Sequence, residues 1–198
     1  MKKKVLAVLT IVLCLSILGG VTSAYYTDRD TAHNVITTGN VKIRIVEQQK
    51  TEEGLKPYPA GPIQGVMPGA DVSKIVRVSN TGTGDAWVRV RVESKFELSD
   101  KAPEKLPQGQ DPADMVTLKI DNVHWEQIGD WYYYRQPLTH GKTTEPLIET
   151  VSFSAKMGNA FQGASAYVDV SAEAVQSRNN DLPASGKLSD IPGWPTAK

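Results

Sequence analysis

The chain has 198 residues, 22 basic and 22 acidic side chains, three histidines and one cysteine. Balanced charge with no long like-charged run lacks the clustered positive potential that selects nucleic acid, and it carries no polybasic membrane patch. The length is enough for one domain with a substantial core.

The N-terminus reads as an export signal. Lys2, Lys3 and Lys4 form a positive n-region, residues 5–18 an apolar run, Gly19-Gly20 a break, and Thr22-Ser23-Ala24 a small-residue site for a signal peptidase. The apolar run falls short of the roughly 20 residues that a spanning helix needs. A cleavable signal peptide over 1–24 is therefore predicted, cut between Ala24 and Tyr25, so that the chain meets the membrane only during export. Cleavage removes three lysines and leaves a net charge of −3, from 19 basic and 22 acidic residues. It also removes Cys14, which lies among Ile11, Leu13 and other bulky residues unlike a lipidation site. A mature chain without cysteine holds its fold by packing and hydrogen bonds alone, which suits a single-membrane, Gram-positive type of cell.

Residues 25–40 form an N-terminal segment that opens on Tyr25-Tyr26-Thr27-Asp28. From residue 41 the pattern is period two, the mark of half-buried strands. Val41, Ile43 and Ile45 alternate with Lys42 and Arg44, and Val72, Val76 and Val78 share a row in which Lys74 is expected at an edge. In residues 87–93, Val88, Val90 and Val92 point one way and Trp87, Arg89, Arg91 and Glu93 the other. Residues 115–120, 130–134 and 150–155 add shorter candidates. Residues 166–174 place Val168, Val170 and Ala172 inward and Tyr167, Asp169, Ser171 and Glu173 outward. Turn signals separate these runs: Met67-Pro68-Gly69, Asn80-Thr81-Gly82, Gly129-Asp130, His140-Gly141 and Met157-Gly158-Asn159. Short strands with one apolar face each are stable when two sheets pack face to face, so the fold class is all-β, a two-sheet β-sandwich of jelly-roll or immunoglobulin-like topology over 41–176. Residues 99–114 read as a surface loop in which Asp111 and Pro112 open a short helix. Residues 177–198 read as a flexible C-terminal tail.

No catalytic, cofactor or metal site is predicted. His33, His124 and His140 are far apart, with no HExxH helix, no paired His-x-His and no cysteine ligands. Gly-x-Ser-x-Gly is absent, and Gly82-Thr83-Gly84 leads into a strand and not a helix, unlike a phosphate loop. Asp28 and Asp30, with Asn34 nearby, lack the central glycine and terminal glutamate of a calcium loop. The aromatic block Trp131-Tyr132-Tyr133-Tyr134 places Trp131 and Tyr133 on one face of a strand and Tyr132 and Tyr134 on the other. Core packing is the plainer reading. A candidate binding strip of Trp131, Tyr132 and Tyr134, able to stack on a sugar or a protein, is the alternative. Leu182-Pro183-Ala184-Ser185-Gly186 approaches a sortase signal but departs at Ser185, and no apolar segment follows it.

Three blocks resemble the TasA/camelysin family, whose members carry SipW-type signal peptides and include alternate signal-mediated exported proteins. They are Gly19-Gly20 through Ala24 with Tyr25-Tyr26-Thr27-Asp28 and Thr38-Gly39-Asn40-Val41; Met67-Pro68-Gly69 with Asn80-Thr81-Gly82; and residues 131–137 with Glu145-Pro146-Leu147 and residues 172–176. The resemblance implies a jelly-roll-like sandwich cleaved by a SipW-like signal peptidase, and a role in extracellular fibres or biofilm matrix. It further implies self-assembly in which an N-terminal strand, here residues 25–35, completes a neighbour's open sheet edge. Camelysins are also classed as metalloproteases, an activity for which this chain shows no metal-ligand cluster. The reading is a secreted, non-catalytic structural or cell-surface protein, with a secreted glycan- or protein-binding module as the alternative.

Overall fold

Alternating apolar and polar side chains build two antiparallel sheets in the computed structural model, which describes residues 41–65, 67–108 and 111–195. The predicted signal peptide and the 25–40 segment lie outside the described residues. The strands are β1 (Ile43–Thr51), β2 (Gly54–Pro57), β3 (Asp71–Asn80), β4 (Ala86–Glu97), β5 (Val116–Ile120), β6 (Trp125–Ile128), β7 (Trp131–Tyr134), β8 (Ile148–Phe153) and β9 (Ser165–Gln176). One sheet runs β2-β1-β3-β8-β5 and the other β6-β7-β4-β9.

The inward rows meet as the alternation predicts. Ile43, Val76, Val78 and Ile148 of the five-stranded sheet pack against Val88, Val90, Trp125, Tyr134, Val170 and Ala172 of the four-stranded one. Each of the valines and isoleucines contributes about 1.5–3 kcal/mol on leaving water, so the face-to-face core is what makes short strands stable. Phe96 joins the sheets at the other end, edge-on to Phe153 at 6.0 Å and to Phe161 at 5.6 Å. The fold is an all-β sandwich.

Turn chemistry follows the sequence closely. Pro68 and Gly69, with Gly69 at φ 73°, close a turn in which the Ala70 N–H donates to the Met67 carbonyl at 3.1 Å. Asn80 is fully buried, accepting from the Gly82 N–H and donating to the carbonyls of Gly84 and Leu138. The Asp111 carboxylate caps a short 3-10 turn, Pro112–Met115, by accepting from the Ala113 N–H at 2.8 Å.

Two expectations are corrected. Lys74 is not at an edge: β3 is flanked by β1 and β8, and Lys74 is 5% exposed in the row of Val76 and Val78. Its ammonium is tolerated there because Glu47 lies 3.0 Å away and the ring of Tyr58 caps it at 4.1 Å. Burial, with Glu47 adding to it, pushes the Tyr58 phenol above its ordinary pKa. The C-terminal tail is not a loose extension over residues 177–195. This segment folds back as a strap across the outer face of the four-stranded sheet, where Leu188 and Ile191 are buried against Trp87, Tyr133 and Val175.

Candidate assembly surface

The four sheet edges differ sharply. β2 and β6 have 4 residues each and β5 has 5, lengths that offer little backbone to a partner. β9 has 12 residues, all paired with β4 on one side. On the other side Ile63 exchanges two backbone hydrogen bonds with Ala166, of 2.7 and 3.1 Å. That exchange sets the phase: Ala166, and at period two Val168, Val170, Ala172 and Ala174, direct their N–H and C=O groups away from β4. Past Ile63, no strand among the described residues pairs with that side. β1 lies against β9 there, so the open edge faces the seam between the sheets. Val41, the first described residue, is buried in the same core as Val170 and Ala172.

The aromatic block alternates as expected, but both of its faces are covered. Tyr134 is 4% exposed and stacks obliquely on Trp125 inside the sandwich, with Tyr132 half-buried against the same core. Tyr133 and Trp131 lie on the outer face beneath the strap. The three residues of the candidate strip therefore do not form one open stacking surface, because Tyr134 faces inward and Trp131 faces outward. What holds the outer face is Arg89, which the sequence pattern merely assigned to the outward row. Its guanidinium lies 4.2 Å from the ring centre of Trp131 and 4.8 Å from that of Trp194. It donates to Glu173 at 2.5 and 2.8 Å, to the Tyr133 hydroxyl at 3.3 Å and to the Pro195 carbonyl at 2.8 Å. The fork shape of arginine allows all four contacts at once. Trp194 also meets Tyr133 edge-on at 5.6 Å, and the Trp87 indole donates to the Asn180 carbonyl at 2.8 Å. The signal for the strap is present in the sequence: Leu188, Ile191 and Trp194 recur at every third position.

The histidines that the structure describes are surface groups. His124 Nδ1 lies 2.6 Å from Asp121 Oδ2, which raises the imidazole's pKa, with Glu145 adding to the effect. Burial pushes Asp121 up, but hydrogen bonds from His124 and Val123 outweigh it and hold the carboxyl below its ordinary value. Glu145 is lowered by its hydrogen bond from the Tyr134 hydroxyl. The His140 N–H donates to Asp85 and holds that carboxyl low. Each imidazole thus reaches one carboxylate, and among the described residues no three His, Cys, Asp or Glu side chains converge as metal ligands. A catalytic zinc needs three protein ligands, so these residues do not fit one. His33, Asp28, Asp30, Asn34, Ala24 and Tyr25 lie outside the described residues. The near-sortase segment 182–186 is a connector on the surface, with Leu182 43% exposed.

A family model described as camelysin metallo-endopeptidase matches residues 1–128, which run through the end of β6. No curated protein and no solved structure matches the chain.

Proposed function

This chain belongs to the camelysin family, and from that premise we propose that it is an exported, non-catalytic structural protein of fibre or biofilm-matrix type. Membership supports a secreted, matrix-type protein at the level of the family. The observation that carries the finer reading is the β9 edge: 12 residues long, sharing its core with Val41, and without a strand partner along residues 168–174 among the described residues. An extended segment from a neighbour can add its backbone to the N–H and C=O groups that these residues direct away from β4. Residues 25–35 are that segment, available once a SipW-like signal peptidase cuts between Ala24 and Tyr25.

Negative-stain microscopy of the mature chain tests this. Filaments should form from the chain that begins at Tyr25 and be lost on deletion of residues 25–35. Filaments unchanged by that deletion, or a monomer at all concentrations, would overturn the reading. The family's description also names a metallo-endopeptidase. Casein incubated with the mature chain should stay intact with or without a chelator, and chelator-sensitive degradation would overturn the non-catalytic assignment.

A further inference from the structure

We propose that residues 187–195 are an exchangeable anchor, so that the aromatic outer face of the β6-β7-β4-β9 sheet receives this segment from a second copy of the chain as well as from its own. The surface already has a fitted occupant. Leu188 and Ile191, 4% and 3% exposed, sit on Trp87, Tyr133 and Val175, and Arg89 holds Trp194 and Pro195. These contacts join the anchor to the sheet and none of them involves the connector.

The connector does little beyond tethering. Residues 181–186 are almost wholly exposed. Their hydrogen bonds are local: the Gly186 N–H to the Pro183 carbonyl, the Lys187 N–H to the Ser185 hydroxyl, and that hydroxyl to Asp190. An anchor arriving from another copy would therefore make the same contacts and lose only the proximity that the tether supplies, which is the condition under which exchange is cheap. The turn before the connector stays in place during exchange, because Asn180 is held by the Trp87 indole and by its own bonds to Gln176 and Ser177. The segment's origin also fits, because it leaves the end of β9 itself at Gln176. Copies joined along β9 would hold one copy's anchor close to the next copy's face, at an effective concentration on the order of millimolar. The exchange rests on the proposed self-assembly in this respect, although its contacts do not depend on the edge.

Two complementary variants of the full mature chain test it. Leu188→Ser with Ile191→Ser disables the anchor and keeps the face. Val175→Asp places a carboxylate in the apolar contact, disabling the face while keeping the anchor. Each is labelled through Lys105→Cys, the only thiol in the mature chain, with donor dye on one and acceptor on the other. The complementary mixture should transfer energy several-fold more than a mixture in which both labelled chains lack the anchor. Equal transfer overturns the exchange. If Val175→Asp does not fold, the wild-type chain takes its place with the same expectation and the same overturning result. Microscopy of these samples separates the two proposals: filaments with equal transfer sink the exchange alone, and anchor-dependent transfer without filaments sinks the filament reading alone.

Discussion

The outer faces of the two sheets are built from the same alternating pattern and end in opposite states. On the five-stranded sheet the outward row keeps Lys42, Arg44 and Lys50 exposed, with Arg77 half-exposed, as alternation alone would leave them. On the four-stranded sheet the outward row includes Trp87 and Arg89, and both are buried, at 7% and 8% exposure. The difference comes from the strap and not from the strands. Period two decides which side of a sheet a residue takes. Whether that side stays wet depends on a segment that belongs to no strand of the sheet.

Buried cations sharpen the contrast. Arg89 is reached by Glu173, Trp131, Trp194, Tyr133 and Pro195, and two of those belong to the strap. Lys74 has Glu47 and Tyr58, and the Glu47 side chain keeps 34% of its surface in water. Arg89→Ala should therefore have the largest effect of these substitutions, a loss of about 3 kcal/mol or more in urea unfolding, since it leaves the mostly buried Glu173 carboxylate without its partner and uncouples the strap. Arg89→Met should recover much of that loss. Leu188→Ala should cost about 3 kcal/mol through the gap it opens beneath the strap. A value near zero would mean that the strap adds nothing to stability and that the two faces are alike. Lys74→Ala should cost about 2 kcal/mol, less than Arg89→Ala because water can reach Glu47. Arg44→Ala on the wet face should change stability by less than about 0.5 kcal/mol, and a larger loss would reveal a cover on that face too.

The smallest effect concerns pH. The raised pKa of His124 gives stability that is fully present below its unfolded value, about 6.5, and is lost as pH rises through the folded value. The lowered pKa of Asp121 gives stability present above about 3.9 and lost as pH falls through its folded value. The pair therefore contributes most between about pH 4 and 6.5. Unfolding midpoints of His124→Gln should differ from those of the wild type in that window and converge above it.

The legible parts of the fold were those in which local pattern and final environment agree. Val88, Val90, Val170 and Ala172 face inward as their alternation requires, and Asp111 caps the turn that Pro112 opens. β2 and β6 were missed because four-residue edge strands, Gly-Leu-Lys-Pro and Trp-Glu-Gln-Ile, are too short to show a period. Lys74 was placed in the right row and the wrong surroundings, because its neutralising partners come from β1 and from the loop after β2. The strap's signal is faint for a related reason. Leu188, Ile191 and Trp194 are sparse among polar and proline residues, and their counterparts Trp87, Arg89 and Tyr133 lie far back in the chain. A composition average over residues 177–198 dilutes three anchors into apparent disorder. The aromatic block takes the two directions its alternation gives and is packed, as the plainer reading expects: Tyr132 and Tyr134 by the core, Trp131 and Tyr133 by the strap.

The way in which the strap is fastened also fixes how the molecule yields under tension. Its holdfasts are arranged in series along the chain: Pro195 and Trp194 at Arg89, then Ile191, then Leu188, and last Asn180 at the Trp87 indole. A pull on the C-terminal side loads them one after another, as in peeling, whereas β4 and β9 are joined by a ladder of 12 paired residues. The strap should therefore pay out about 50 Å of slack, the span of some fifteen extended residues, before the sandwich opens. Single-molecule pulling would record this as a low-force step ahead of the main rupture. In a matrix, such a segment acts as a short shock absorber that resets when the load falls.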